Sequence, residues 1–535
     1  MPVLLSLMLT ADLPADVLDA AEGTANVPPP GCPAPTDETG VQDRTAEVAS
    51  LLRCPVCEGS SIANSTSEAA VEFTTLIEDM VRDGRCDDQI VDEFVRRYGE
   101  WVVMESPDAP LVVEEDFISH TLDNGLHVSI LSDPDLAIVA TQVWVQVGSA
   151  HETDNEAGFA HLFEHLMFGD TSNHDKEDYA RHHTVNGGYE NAYTMFDNTV
   201  YISNISADAH DEVLHYESDR LTNLVLSQDN LDNEIKIVTE ELRLRTENNP
   251  FARLLGPALA GLFGDHPYGH SPAGTKEDLA NADLELVQKF YAGYYRPENV
   301  HLVIVGPVHG PSTLAKVEAA FGPIEGEALT PPDVPSLRDI EYAERVELTE
   351  DIPPIKIAGL YYPGPTKRSD DWYAWELMTE MLAGGELDHF REELVGRRGK
   401  AMEAVTITEE LEAGAILAFG SVSLPFRRKA KAIKLLHESV DALGEGEWLG
   451  EASLETARRR LLRAELERSY YAERLADDVG MAYAWQGDDA LAIDGASEAL
   501  QAVTLEQVKA VWTTYIAEAT PVEVFIQKGD ATEVN

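Results

Sequence analysis

The sequence predicts an α+β protein in which a small all-α helix-hairpin domain precedes a duplicated pair of α/β domains. Three observations point there. Apolar side chains recur with helical spacing on both sides of a glycine between residues 68 and 98. From about Phe117 strand-like and helix-like segments alternate. A gapless offset of 216 residues lays one α/β stretch on a later one. The 535 residues suffice for about three domains. The 44% hydrophobic content can build real cores, which excludes disordered, collagen-like and low-complexity classes.

Residues 1–44 read as a flexible leader rich in Ala, Pro, Asp and Gly, including Pro28-Pro29-Pro30-Gly31. Its apolar run Val3 to Leu9 is short and follows no basic residue, a poor match to a signal peptide. Nowhere do about 18 apolar residues run together, so no membrane span is expected. Residues 45–104 form the helical domain. Ser65 and Glu68 make a capping box, and Phe73, Leu76, Ile77, Met80 and Val81 form a stripe that Gly84 ends. A second start at Asp87 or Asp88 leads into Ile90, Val91, Phe94, Val95 and Tyr98, up to Gly99.

Residues 105–116, with Ser106-Pro107-Asp108-Ala109-Pro110, are a linker. The first α/β domain is 117–322, with a hairpin turn at Asn124-Gly125 and a strand over Ala137 to Val147. A helix over 157–168, a strand near 191–204, a helix over 229–247 and a strand Val300 to Val305 follow. A Pro-rich linker at 323–340 precedes the second domain, 341–535. The offset aligns Gln142-Val-Trp-Val-Gln-Val-Gly148 with Ala358-Gly-Leu-Tyr-Tyr-Pro-Gly364, and His161-Leu-Phe-Glu-His-Leu166 with Leu377-Met-Thr-Glu-Met-Leu382. Two histidines in one copy thus face Leu377 and Met381 in the other, as duplication followed by loss of polar groups would leave them.

Charge narrows the partners. The 39 Lys and Arg against 96 Asp and Glu give −57, and the first lysine is Lys176. Such a chain repels phosphate backbones and anionic membrane surfaces, so nucleic acid is not an expected partner. Its acidity reads mainly as a solvated surface, and secondarily as an attraction for basic peptides.

His161 and His165 stand one helical turn apart, so both imidazoles project from one face and can grip a single metal ion. Glu164 lies near that face, placed to act as general base on a water at the metal. Glu234 and Glu241 are seven apart on the later helix, within about 20° around its axis, with Val238 between them. Glu240 points elsewhere.

Gly158-Phe-Ala-His-Leu-Phe-Glu-His-Leu-Met-Phe168 resembles the signature of the pitrilysin and insulinase zinc peptidases, the inverzincins, whose H-x-x-E-H reverses the commoner order. Gly187-Gly188-Tyr-Glu-Asn-Ala-Tyr-Thr194 and Tyr295-Arg-Pro-Glu-Asn-Val300 extend the likeness, which covers 117 to about 530. It implies a duplicated fold of mixed sheets flanked by helices, with metal ligands in one copy only. The family's third ligand lies about 76 residues beyond its second histidine, which falls on Glu241, and a functional glutamate seven residues earlier falls on Glu234. The implied set is one Zn2+ per chain on His161, His165 and Glu241, with Glu164 and Glu234 catalytic. Asn191 and Ala192 would lie on an edge strand that binds peptide main chain. Family members often carry an Arg and a Tyr in a second-half segment; here the tyrosine position falls on Met402, so another tyrosine or a partner chain would have to supply that contact.

Cys54-Pro-Val-Cys57 is half a zinc site, a redox pair or two incidental thiols, and no second C-x-x-C completes it. Leu52-Arg-Cys-Pro-Val-Cys57, Ser61-Ile-Ala-Asn-Ser65 and Arg97-Tyr-Gly99 resemble the periplasmic domain of the cytochrome c maturation protein H family. That likeness implies thiol-disulfide exchange by Cys54 and Cys57 with apocytochrome c, in the periplasm or cell envelope. Glu58 stands where a glutamine is common, and the usual membrane anchor is missing. Cys32 and Cys86 have no assigned role; they are free to pair with each other.

The leading expectation is a zinc endopeptidase acting on peptides or unfolded polypeptide, alone, as a homodimer or with a second peptidase-like chain. The alternatives are a non-cleaving peptide-binding subunit and a thiol-disulfide oxidoreductase of cytochrome c maturation.

Overall fold

In a computed structural model of the chain, the described residues are 38–52, 62–63, 68–82, 84–98, 102 and 117–529, less short stretches at 154–155, 249–253, 327–331, 333, 351, 385–387, 398 and 488–491. They fall into two compact units, Met1–Ser106 and Pro107–Asn535.

The first unit holds helices α1 (Glu38–Ser50), α2 (Glu68–Arg82) and α3 (Asp87–Tyr98). Ile77, Met80 and Val81 of α2 and Ile90 and Phe94 of α3 close on Val48 and Ala49 of α1. Gly84, at φ +75°, ends α2 by giving its N–H to Val81 and letting Arg85 reach the Met80 carbonyl. α1 begins inside the stretch read as leader. The Val41, Thr45 and Val48 side chains, buried at helical spacing, are too small and too few to stand out against its polar composition. Ser65 and the 105–116 linker lie outside the described residues.

The second unit contains two sheets. The first has β1 (Phe117–Thr121), β2 (His127–Ser132), β3 (Val139–Val145), β4 (Tyr189–Thr194), β5 (Thr199–Ile205) and β6 (Val300–Gly306), in the order β1-β2-β6-β3-β5-β4. The second has β7 (Arg345–Glu350), β8 (Lys356–Pro363), β9 (Glu403–Glu409), β10 (Ile416–Ser423) and β11 (Val522–Lys528), in the order β7-β11-β8-β10-β9. β2 pairs with β6, and β7 with β11, in parallel; every other pairing is antiparallel. Replacing β2, β6, β3, β5 and β4 by β7, β11, β8, β10 and β9 turns one order into the other, so the fold is duplicated. The strand expected near 191–204 is two strands: Met195 to Asn198 form a turn, closed by the Met195 N–H on the Asn198 carbonyl, that folds the segment into a hairpin.

Helices α4 (Phe159–Leu166), α5 (Lys176–Val185), α6 (His210–Asn223), α7 (Gln228–Asn248), α8 (Leu255–Phe263), α9 (Lys276–Leu279), α10 (Leu284–Tyr294) and α11 (Gly310–Phe321) belong to the first half. The second half has α12 (Trp372–Ala383), α13 (His389–Arg391), α14 (Lys429–Leu443), α15 (Glu451–Ser469), α16 (Ala472–Gln486), α17 (Ala492–Ala502) and α18 (Leu505–Trp512). Central strands β3, β5 and β6 are buried on both faces, so both faces need cover. α4, α10 and α11 cover one. The other is covered by α16 of the second half, whose Ala472, Leu475, Ala476 and Val479 pack on Ala140, Trp144, Val200 and Val303. α8 returns the exchange, setting Leu259, Leu262 and Phe263 against Val346 and Tyr361 of the second sheet. A glycine lets each crossing close: a Cβ on Gly480 would stand 2.1 Å from Trp144, and one on Gly261 2.4 Å from Val346.

Candidate metal centre and active site

α4 starts where Gly158 takes φ +86°, back to back with Gly274, whose Cβ would come 2.8 Å from the Gly158 Cα. The buried Glu152 carboxylate accepts from the backbone N–H groups of Gly158 (2.8 Å) and Ala160 (2.7 Å), satisfying two free donors of the first turn. Burial pushes this carboxyl well above the usual range while those two N–H groups pull it back. Sequence reading missed Glu152, because a cap six to eight residues upstream of its donors leaves no local motif. Phe163 stacks on Phe290 (5.2 Å between centroids), and its carbonyl accepts from the Tyr201 hydroxyl at 3.2 Å. The inner face of α4 is therefore fixed, and its outer turn presents His161, Glu164 and His165.

α7 runs alongside α4, pinned by the fully buried Leu231 and Val238. Glu234 and Glu241 flank Val238 and turn toward the histidines, whereas Glu240 lies in solvent with Arg243. Glu241 Oε2 is 3.2 Å from His165 Nε2 and 3.7 Å from His161 Nε2. One ligand atom from each of His161, His165 and Glu241 lies within 4.8 Å of the other two, the one such cluster among the described residues. Donors about 2.0–2.2 Å from a tetrahedral zinc sit roughly 3.4 Å apart, so two nitrogens and a carboxylate oxygen at these separations fit zinc. Glu234 Oε2 lies 3.9 Å from His165 Nδ1, on the far side of the ring from Glu241. Burial disfavours the charged form of His165, but its hydrogen bond to Glu241 and the charges of Glu241, Glu164 and Glu234 outweigh this and raise its pKa.

Glu164 Oε2 accepts a 2.6 Å hydrogen bond from Thr194 Oγ1 on β4. Among the described residues that strand is the outer edge of its sheet, paired through Asn191↔Ile202 and Ala192↔Tyr201 with β5 alone. Asn191 is exposed and Ala192 half-buried. In the second half the corresponding ground is core: Leu377, Met381 and Ala457 are buried together. Met402, at the position implied for a substrate-binding tyrosine, is 53% exposed. Cys32, Cys54 and Cys57 lie outside the described residues; Cys86 is disulfide-bonded.

Residues 127–271 match the family model of insulinase, peptidase family M16, and residues 281–461 that of the peptidase M16 inactive domain. This region of the chain belongs to the insulinase family of peptidases. Its insulinase-like relatives include the zinc protease PqqE of Helicobacter pylori, 27% identical over 304 residues that make up 56% of this chain and 68% of that protein. An uncharacterised zinc protease of Mycobacterium leprae is 32% identical over 214 residues, 40% of this chain and 48% of the relative, so the chain spans about half of that protein's length. Among solved structures the insulinase fold recurs in a protease from Helicobacter pylori, with a TM-score of 0.69 and 22% identity over 77% of this chain and 99% of that one. It recurs also in the periplasmic protease PqqL from Escherichia coli, at 0.61 and 17% over 78% and 48%. Residues 33–111 match the family model of a cytochrome C biogenesis protein.

Proposed function

We propose that the chain is a zinc-dependent endopeptidase that hydrolyses peptides or unfolded segments, with one Zn2+ held by His161, His165 and Glu241. The observation that carries this reading is the convergence of those three donors from two helices beside the Glu164 carboxylate. When bound, zinc would supply Lewis acidity toward a water and toward the scissile carbonyl. Glu164, oriented by the hydrogen bond from Thr194, takes a proton from the attacking water and then delivers it to the leaving amine. Glu234 faces the second nitrogen of His165, where a carboxylate keeps the ring turned toward the metal. An extended peptide adds to the free edge of β4 beside Asn191 and Ala192, which gives affinity through main-chain bonds largely independent of sequence.

Cleavage of an unstructured peptide and bound zinc, measured for the wild type and for Glu164→Gln, test this reading: the variant keeps zinc and loses cleavage. Stoichiometric zinc with no cleavage by the wild type would leave a peptide-binding subunit instead. The cytochrome C biogenesis match over 33–111 favours a second activity, thiol-disulfide exchange by Cys54 and Cys57, and with it a cell-envelope setting. No helix among the described residues is long and apolar enough to cross a membrane. A Cys54→Ser/Cys57→Ser variant keeps peptide cleavage and loses disulfide exchange on that reading.

A further inference from the structure

The turn from Met195 to Asn198 follows directly on β4 and has a counterpart between β9 and β10 in the other half. The two turns meet. The Asp197 carboxylate, almost wholly buried, accepts from the Tyr268 hydroxyl at 2.6 Å through Oδ1 and from the backbone N–H of Glu412 at 3.1 Å through Oδ2. The Tyr268 oxygen in turn accepts from the N–H of Ala413 at 3.2 Å. On its own side the turn is seated on Gly148, where a Cβ would stand 2.4 Å from the Phe196 carbonyl oxygen, and is held by the N–H of Ala150 on that carbonyl.

We infer that Asp197 is a positioning residue for the peptide-binding edge: it fixes the turn behind β4 to the turn behind β9, so the half without metal ligands sets where β4 lies. The inference rests on the reading of β4 as the strand that receives peptide. Asp197 is three residues from Thr194, the partner of Glu164, and six from Asn191, so movement of the turn displaces both the general base and the docking edge. A carboxylate suits the place because two donors converge on its two oxygens. An amide offers one acceptor there and puts its own N–H groups against a donor. The ionisable groups around it are Tyr268 and Glu412, with Arg368 acting on Glu412. Burial pushes Asp197 up to about 6 and Glu412 up to about 7, while the bonds from Tyr268 and the Glu412 N–H pull Asp197 back down. Protonation of Asp197 turns one acceptor oxygen into a donor and opens the junction.

The test uses zinc-loaded full-length Glu164→Gln protein, which separates binding from cleavage, and a fluorescently labelled unstructured peptide followed by anisotropy. Asp197→Asn and Tyr268→Phe are each expected to weaken binding about tenfold, the scale of a hydrogen bond to a charged group, with zinc stoichiometry unchanged. The double variant should be little worse than either. Binding by the parent should weaken as pH falls through about 6, a dependence that Asp197→Asn removes and that a general loss of stability would not. Parent-like affinity in folded Tyr268→Phe protein overturns the inference, as does an affinity loss matched by zinc loss. If the parent binds no peptide, the reading of β4 fails instead. Hydrogen exchange of the β4 amides then decides the positioning role: faster exchange in both variants supports it, and unchanged exchange overturns it.

Discussion

Thr194 Oγ1 donates a 2.6 Å hydrogen bond to Glu164 Oε2, tying the free edge strand to the helix that carries both histidines. That bond fixes the orientation of the carboxylate that would move the proton. Thr194→Val removes the donor at nearly constant volume. It is expected to lower kcat by about 10- to 100-fold, a part of the roughly 10²- to 10⁴-fold that a positioned general base contributes, with zinc content unchanged. Thr194→Ser restores the hydroxyl and should recover most of the loss. Steady-state kinetics on one peptide with parallel zinc analysis check this; wild-type turnover in Thr194→Val would remove the role given to the bond.

Metal binding should stabilise the fold, because the three donors come from two helices that are brought together only on folding. At a thousandfold excess of free zinc over Kd the stabilisation is about 4 kcal/mol. Stripping with a chelator should lower the melting temperature of wild type and leave His161→Ala unmoved. Glu234→Gln should still bind, about 10- to 100-fold more weakly, if the carboxylate orients His165 from behind. Competitive titration against a zinc dye reads that difference.

Periodicity and punctuation made α2, its stop at Gly84, α4 and α7 legible in the sequence, because each depends on neighbours within one or two turns. The duplication was legible too, since a gapless offset of 216 carries α4 onto α12 and β3 onto β8. What escaped depends on distant contacts. Nothing in residues 472–486 announces that their helix covers the other half's sheet, with Gly480 against Trp144. Asp197 and Asn198 sit inside an apolar run, so the turn they form carries no mark in the sequence that separates it from the strands on either side. The metal cluster was found because H-x-x-E-H is local and the distance to Glu241 is a family trait. Thr194 and Glu152 were not, for their bonds to Glu164 and to the start of α4 have no sequence spacing that marks them.

Glu376 lies on α12 immediately before Leu377, and burial, with the charge of Glu410 added, pushes its pKa up to about 7 although Lys367 opposes the shift. A carboxyl raised above its unfolded value of about 4.5 favours the folded state most when protonated. Its contribution is full below about pH 4.5 and is lost as pH rises through 7. Glu376→Gln should therefore melt with the wild type at pH 5 and about 2 °C higher at pH 8. Thermal unfolding at both pH values measures it; equal melting temperatures at pH 8 would mean that the carboxyl pays no penalty for its charge there. Comparison with the variant isolates this group from the general repulsion of a −57 chain, which also grows with pH.

The same −57 charge bears on substrate choice. Near the candidate site Glu234, Glu241 and Glu164 gather on two facing helices, and the bound metal would offset only part of that charge. A cationic peptide approaching β4 gains from the field at long range, whereas its contacts along the strand edge are made by main chain and are indifferent to sequence. The gain should then appear in kcat/KM, mostly through association, and should fade once the Debye length shrinks from about 10 Å at 0.1 M salt to about 3 Å at 1 M. Two peptides of equal length and matched scissile residues, one flanked by Lys and one by Glu, should differ by about tenfold or more in kcat/KM at low salt and converge at high salt, within the range that electrostatic steering provides. Equal rates at low salt would confine the acidity to keeping the surface solvated. A difference that survives 1 M salt would instead point to direct side-chain recognition, with Glu234→Gln as the first variant to compare because its carboxylate is partly exposed beside the site.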